Sequence, residues 1–311
     1  MVTRLLAFLI LSAVIAACTG NDSPHEAAKA GSGDLTAADT ASATTIAFAE
    51  AKLDSFVLRY KKGDVFQYRV RQFSEAGPDS AVSSTTSSHV YTKTVRAVRS
   101  DGRSVQRTNP DFVQFNAIIG EEVSIYVSPR GALLQVGDVS PIVKKMVASA
   151  KQAISPELMN QLAEQVKSAV YGSFHGQEII PYPAVKIDSN GNWSNAMTTP
   201  LAELFLVSTM ANYHIVDVKA LGNRRMASIA ATIDGAIRVR PLPKNAPFSA
   251  RIDASSITGT SRSLLDVEGG YTISKSNAIR FSVTATIVSP KGERKTVSQA
   301  QNSRYEIELL P

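Results

Sequence analysis

VLRYKKGDVFQYRV, residues 57–70, alternates apolar and polar side chains on both sides of Lys62-Gly63-Asp64. Period-two alternation marks a strand with one buried face, and Lys-Gly-Asp supplies turn residues, so the stretch predicts two strands and a tight turn. The same texture runs outward from it. Val90, Thr92 and Thr94 alternate with Tyr91, Lys93 and Val95 in a long run that breaks at Ser100-Asp101-Gly102, a hairpin signal. EEVSIYVSPRGALLQV then predicts a hairpin turning at Ser128-Pro129-Arg130-Gly131.

Residues 139–176 interrupt the alternation. SPIVKKMVASAKQAI and SPELMNQLAEQVKSAVYGSF each open with Ser-Pro, an N-cap followed by proline at the first helical position. Leu158, Leu162 and Val166 form an apolar stripe, and the opposite face mixes Glu164 with Lys167, as on a helix packed against a sheet. Beyond Pro181 the strand texture resumes and echoes the first half. Gly191-Asn192-Trp193 stands where Gly63-Asp64-Val65-Phe66 stood, Leu221-Gly222-Asn223 echoes Ser100-Asp101-Gly102, and Asp266–Gly270 echoes Ser128–Gly131. A last hairpin turns at Pro290-Lys291-Gly292. The expected fold is α+β and mainly antiparallel β, with two similar curved-sheet halves and a helical insert between them.

The N-terminal stretch has a different character. Arg4 precedes an apolar run from Leu5 to Ile15, too short to span a bilayer, which takes about 20 apolar residues. The run ends in Ile15-Ala16-Ala17-Cys18, which holds the one cysteine of the chain and resembles the bacterial lipobox. That resemblance implies cleavage before Cys18, a diacylglyceryl thioether on its sulfur and acylation of the new amino terminus. Several acyl chains together make a durable anchor where a single chain gives only marginal binding. The segment that follows is rich in Ala, Gly, Ser, Thr and Asp, which predicts a flexible tether with a reach of roughly 30 Å.

From about Leu58 to Leu309 the chain resembles a family of uncharacterised bacterial lipoproteins. Lys62-Gly63-Asp64, Ser128-Pro129-Arg130-Gly131 and Gly191-Asn192-Trp193 carry the resemblance. It implies the fold and adds nothing about chemistry. The expected organisation is a signal peptide at 1–17, a lipidated cysteine and tether at 18–54, a first β half at 55–138, the helical insert at 139–176 and a second β half at 177–311.

Motifs for catalysis are missing from the sequence. There is no Gly-x-Ser-x-Gly elbow, no Ser-x-x-Lys and no His-Glu-x-x-His, and Glu268-Gly269-Gly270 sits between strand-like runs where a phosphate loop would open a helix. His89, His175 and His214 stand apart from one another in sequence; His89 and His214 fall at matching points of the two halves, and either a paired metal site or two ordinary strand histidines would fit. Alternation puts Glu306 and Glu308 on an exposed face, with Ile307 and Leu309 inward. A net charge of +6 is spread without a block of like charges, which argues against nucleic-acid binding.

The expected function is therefore non-enzymatic, without cofactor or metal: a module anchored to the bacterial cell envelope, at the outer membrane, that binds an apolar ligand or lipid. Phe56, Leu58, Phe66, Tyr68, Ile125, Leu133, Trp193, Phe205 and Val207 are the inward positions that would line an apolar cleft or fill a core; Trp193, like its counterpart Phe66, is expected in the core. The alternative is a structural lipoprotein that presents its sheet to an envelope protein.

Overall fold

A computed structural model describes residues 44–51, 53, 56–77, 83–99, 112–118, 122–131, 133–150, 155–156, 159–160, 162–164, 166–167, 187–201, 205–240, 249–289 and 291–311. The signal peptide, Cys18, the predicted hairpin at Ser100–Gly102, His175 and the side chain of Leu133 lie outside the described residues.

The described chain is mostly antiparallel strand. β1 (Thr44–Ile46) and the single turn α1 (Phe48–Ala51) come first. β2 (Val65–Gly77), β3 (Ser83–Arg99), β4 (Phe112–Ile118), β5 (Glu122–Val127) and β6 (Leu133–Val136) form a meander that ends at the helix α2 (Ser140–Ala150). A second meander follows: β7 (Asn192–Leu201), β8 (Phe205–Leu221), β9 (Arg224–Val239), β10 (Ser249–Asp266), β11 (Tyr271–Val288) and β12 (Arg294–Leu309). β12 pairs with β2, so the two meanders form one sheet in the order β8-β9-β10-β11-β12-β2-β3-β4-β5-β6, with β7 and β1 sharing the free edge of β8.

The sheet curls. Val123, Ile125 and Val127 of β5 belong to the same packed core as Ile215 and Val218 of β8. Eight strand spacings of about 4.8 Å would hold them roughly 38 Å apart in a flat sheet. What closes the curl is the stretch 56–60. Its alternation is present, with Phe56, Leu58 and Tyr60 buried, Val57 half-buried and Arg59 exposed. Its partners differ from the expectation, however. It does not form a hairpin with β2 but crosses the base of the sheet. The Leu58 amide donates to the Pro129 carbonyl in the β5–β6 turn (2.8 Å), and the Arg59 amide donates to the Gly269 carbonyl in the β10–β11 turn (3.2 Å). Period-two alternation records which side chains are buried and is silent about what the backbone pairs with.

The β10–β11 turn is fixed for this contact. Asp266, fully buried, accepts from the Gly269 amide (2.7 Å) and pairs with Arg224, which also reaches the Tyr271 hydroxyl. Arg225 donates from its backbone and Nε to Glu268 (2.5 and 2.7 Å) and from its guanidinium to the Ala51 carbonyl. Gly270 has φ +69°, and a Cβ there would lie 2.2 Å from the Val57 carbonyl oxygen.

Two boundaries move. The tether was expected to reach residue 54, yet Thr44–Ile46 pairs with Val218–Ala220, Ala51 and Leu53 are buried, and Ile46 and Phe48 pack on the core. At α2 the acceptor that meets the first amide is Asp138, whose Oδ1 lies 2.8 Å from the Ser140 nitrogen, so Ser140 is not the cap. Ser155 does accept from Met159 at the start of the next helical stretch (3.0 Å), and Met159, Leu162, Ala163 and Val166 pack on the core with Ile142, Val143 and Val147.

The openings of the two meanders share two features. A glycine of positive φ, Gly63 or Gly191, precedes β2 or β7 and bonds to the second strand of its meander, Gly63 donating to the Val95 carbonyl (2.9 Å) and Gly191 accepting from the Ile215 amide (2.9 Å). A bulge follows each time, at Val95/Ala97 and at Ile215/Asp217.

Gly270→Ala should cost about 2–4 kcal/mol, the left-handed backbone penalty plus overpacking against the crossing segment. Gly222→Ala, at φ +61° with no atom within 4 Å of the new methyl, should cost only about 1 kcal/mol. Denaturant melts of the two variants measure the difference.

Candidate functional site

Because the registers are continuous from β8 to β3, the inward side chains line up in rows across the sheet. The lowest runs through Leu265, Leu309 and Tyr68; the next through Ile215, Ile229, Ser263, Lys275, Ile307, Val70 and His89. Above it lie Tyr213, Ala231, Ser261, Asn277, Tyr305, Gln72 and Ser87, and higher still Ile257, Phe281 and Gln301.

The base is a packed core. Phe56, Leu58, Phe66, Tyr68, Ile125 and Trp193 are all buried within one cluster. Trp193 stacks on Tyr213 (5.0 Å between centroids, 7° between planes) and meets the Phe56 edge at 6.0 Å. Burial pushes the Tyr213 hydroxyl pKa upward, keeping the phenol neutral. In the first meander the place of Tyr213 is taken by Lys93, which pairs across from Phe66 as Tyr213 does from Trp193. Lys93 has no exposed surface. Its Nζ lies 3.4 Å from the Tyr60 hydroxyl and 4.9, 5.1 and 5.3 Å from the ring centroids of Tyr60, Phe66 and Tyr68. A desolvated ammonium over aromatic faces gains about 2 kcal/mol from the ring quadrupoles, which offsets part of its lost hydration. Phe205 belongs to a separate small cluster with Ile237, Ile257 and Val283, against which Val207, Ile279 and Phe281 pack half-buried.

Between the two apolar clusters the inner face turns polar. Ser74, Gln72, Ser261, Ser263, Lys275, Asn277 and Gln301 are all buried there. Gln301 Nε2 donates to Ser74 and Ser303 (3.0 Å each), and Gln72 Nε2 donates to the Tyr305 hydroxyl (3.3 Å). Around this belt Ala211, Ile233, Ile279, Ser303, Tyr305 and His89 are only half-buried, so the inner face opens above the core. The result is an amphipathic interior: an apolar floor, a belt of amides, hydroxyls and one ammonium, and an apolar upper band.

Sequence reasoning missed the belt, although its signal is plain in retrospect. In YTISKSNAIRFSV, Lys275 and Asn277 occupy the same parity as Tyr271, Ile273, Ile279, Phe281 and Val283. A cation and an amide on the apolar side of an alternating strand either bond to one another's neighbours or face a ligand.

The two strand histidines do not meet. His89 is inward and half-buried; His214 faces outward, with Nδ1 2.9 Å from Asn192 Oδ1. The bulges align Val95 with Ile215, which sets His89 opposite Thr209 in the matched strands and removes the basis for a paired metal site. Among the described residues no cluster of His, Cys, Asp and Glu could hold a metal. Glu306 and Glu308 face outward, opposite Arg71 and Arg69 (4.0 and 3.4 Å), while Ile307 and Leu309 are buried.

No protein-family model matches the chain, and no curated protein matches it. Among solved structures it is similar to OmpTΔL8, a loop-deletion mutant of an outer membrane protein of Vibrio cholerae, at 8% identity over 80% of this chain and 100% of that one, with a TM-score of 0.21. An outer membrane channel of Pseudomonas putida F1 aligns at 8% identity over 83% of this chain and 98% of that one, TM-score 0.14. Superpositions this loose carry no argument about fold or function. The outer face of the sheet is informative by itself. A membrane-spanning barrel presents an apolar band about 25 Å tall to lipid, whereas here Arg69, Arg71, Arg262, Arg280 and Arg304 stand outward with Thr258, Thr260 and Asn302 between them. These outward positions are charged and polar.

Burial lowers the pKa of His89 below its ordinary 6.5. The unfolded chain therefore takes up the proton first as pH falls, and the protein loses stability on acidification below about pH 6.5. A His89→Gln variant should lose less stability than the parent between pH 7 and 5 and match its pH dependence above pH 7.5, as measured by urea melts.

Proposed function

We propose that this protein is a lipid-anchored module of the bacterial cell envelope, held at the outer membrane through Cys18, that binds an amphiphile or other apolar ligand without catalysing a reaction. The observation that carries the reading is the banding of the inner face, with a polar belt set between two apolar clusters on one curled sheet. Ligand sites are predominantly apolar with a few placed polar groups, and this is the composition of the half-open interior above the core. The lipobox at Ile15–Cys18 supports the anchor, and the arginines and threonines on the outer surface fit a domain held beside a membrane better than one within it. The two meanders are read as similar halves of one design, with the helices inserted between them to cover the base.

The second reading, a structural lipoprotein that binds an envelope protein, is favoured by one feature. β7 presents a ten-residue strand that is hydrogen-bonded to β8 along one side, an edge to which a partner strand can add.

Purified from membranes, the protein should carry an amphiphile in its organic extract, identified by mass spectrometry after the covalently bound chains are accounted for. The Cys18→Ser variant should lose its acyl groups, stay uncleaved at that position and still take up a fluorescent fatty acid. An empty extract together with no uptake of the probe would remove the ligand-binding reading.

A further inference from the structure

The outer face carries a hollow of about 540 Å³. Two cross-strand rows line it, Thr260, Ala278, Arg304 and Phe73 in one and Thr258, Arg280 and Asn302 in the next. All seven of these side chains are exposed. Ala278 puts only a methyl on the floor, while Phe73, Arg280 and Arg304 rise around it. Gly259 lets β10 approach β11 closely there, since an added Cβ would lie 2.8 Å from the Ala278 carbonyl oxygen. Arg280 holds no ion pair or hydrogen bond among the described residues. Arg304 gives one bond to Glu306 (2.6 Å) and stays 64% exposed, so most of its five donors are free for another group.

Resting on the anchoring reading above, we propose that this hollow takes the phosphodiester of an anionic phospholipid headgroup, with Phe73 against its glycerol, and so turns the outer face of β10, β11, β12 and β2 onto the membrane that holds the anchor. Arg280 and Arg304 are diagonal neighbours on adjacent strands, about 7–8 Å apart at the backbone and within reach of one group. The guanidinium fork matches phosphate oxygens bidentately, and Thr258 and Thr260 add hydroxyl donors. The surrounding charge selects the ligand. Glu306 is shared between Arg304 and Arg71, and Glu75 faces Asn302, so carboxylates stand on one side of the hollow. They disfavour a polyanion such as nucleic acid and leave a place for one singly charged group. The tether, with a reach of roughly 30 Å, lets the face lie against the bilayer.

The test places the lipidated full chain in phosphatidylcholine vesicles, with or without phosphatidylglycerol, that carry a spin label at the headgroup. Trp193 is the chain's one tryptophan and is buried, so Phe73→Trp adds a fluorescent reporter at the rim of the hollow. The reporter should be quenched in vesicles with phosphatidylglycerol and not in those without it. Arg280→Gln should lower the ratio of quenched to unquenched reporter about fivefold, the worth of one arginine at an anionic surface. Arg251→Gln, an exposed arginine farther along β10, should leave the ratio unchanged. Inorganic phosphate at the concentration of the anionic lipid should not relieve the quenching; if it does, the lipid source is overturned and the hollow is a free-anion site. Quenching that persists without phosphatidylglycerol, or survives Arg280→Gln, would overturn recognition of the headgroup. No quenching in vesicles that still carry the chain would overturn this inference and leave the anchor standing. A chain that does not float with the vesicles would overturn the anchoring reading as well.

Discussion

Two backbone hydrogen bonds, from Leu58 to the Pro129 carbonyl and from Arg59 to the Gly269 carbonyl, tie the turns of two distant hairpins to one extended segment. Each bond is worth only about 1 kcal/mol by itself. Their importance is geometric. The β5–β6 and β10–β11 turns belong to different meanders, and holding both against the same few residues commits the sheet to curl. Once it curls, Phe56, Leu58 and Tyr60 fall between its walls, and burial at about 25 cal/mol per Å² of apolar surface supplies the stabilisation that the two bonds direct. The rest of the base follows from the same constraint. Gly270 must lack a side chain where the segment passes, Asp266 must be satisfied because it is buried beneath the turn, and Arg224 and Arg225 are recruited to do so. Removing either partner of a buried pair of this kind leaves an uncompensated charge, a loss of about 3–5 kcal/mol, so the turn is held more rigidly than its hydrogen bonds alone imply.

With the base closed, the upper part of the inner face is left with a different problem. Its strands run on past the core, and their inward side chains have less to pack against. The chain answers with small residues (Ala211, Ala231, Gly259, Ser261, Ser263), with polar groups that satisfy one another, and with a second apolar cluster beyond them. The same arrangement produces an amphipathic surface. Lys93 and Lys275 mark the two ways a curled sheet can host an inward cation: sealed among aromatic rings at the base, or set among amides and hydroxyls where the interior opens.

Much of this architecture was legible before any coordinates. Alternation identified the strands, and the glycines at 63, 131, 191, 222, 270 and 292 marked turns because those backbones adopt positive φ. Burial of Trp193 and Phe66 followed from strand parity. Other features were hidden for physical reasons. Residues 44–53 read as tether because their composition is Ala- and Thr-rich, whereas β1 pairs with the edge of β8, far along the chain, and Ile46, Phe48 and Leu53 join the core. The crossing of 56–60 was invisible since alternation does not name a partner. His89 and His214 seemed equivalent until the bulges in β3 and β8 put them on opposite faces. The polar belt was readable in principle, from Lys275 and Asn277 sitting on the apolar parity of β11, but its meaning required knowing that five strands place their polar residues at the same height.

The claim on which all of this depends is that the 56–60 segment is an integral part of the folded core. Native-state hydrogen exchange at the Leu58 and Arg59 amides tests it most directly. Both amides should exchange only through global unfolding, with protection equal to that of the central amides of β11 and β12. Exchange of these two amides by local opening, several kcal/mol below the global value while β11 and β12 stay protected, would contradict the account and reduce the segment to a strap laid over a sheet that curls without it.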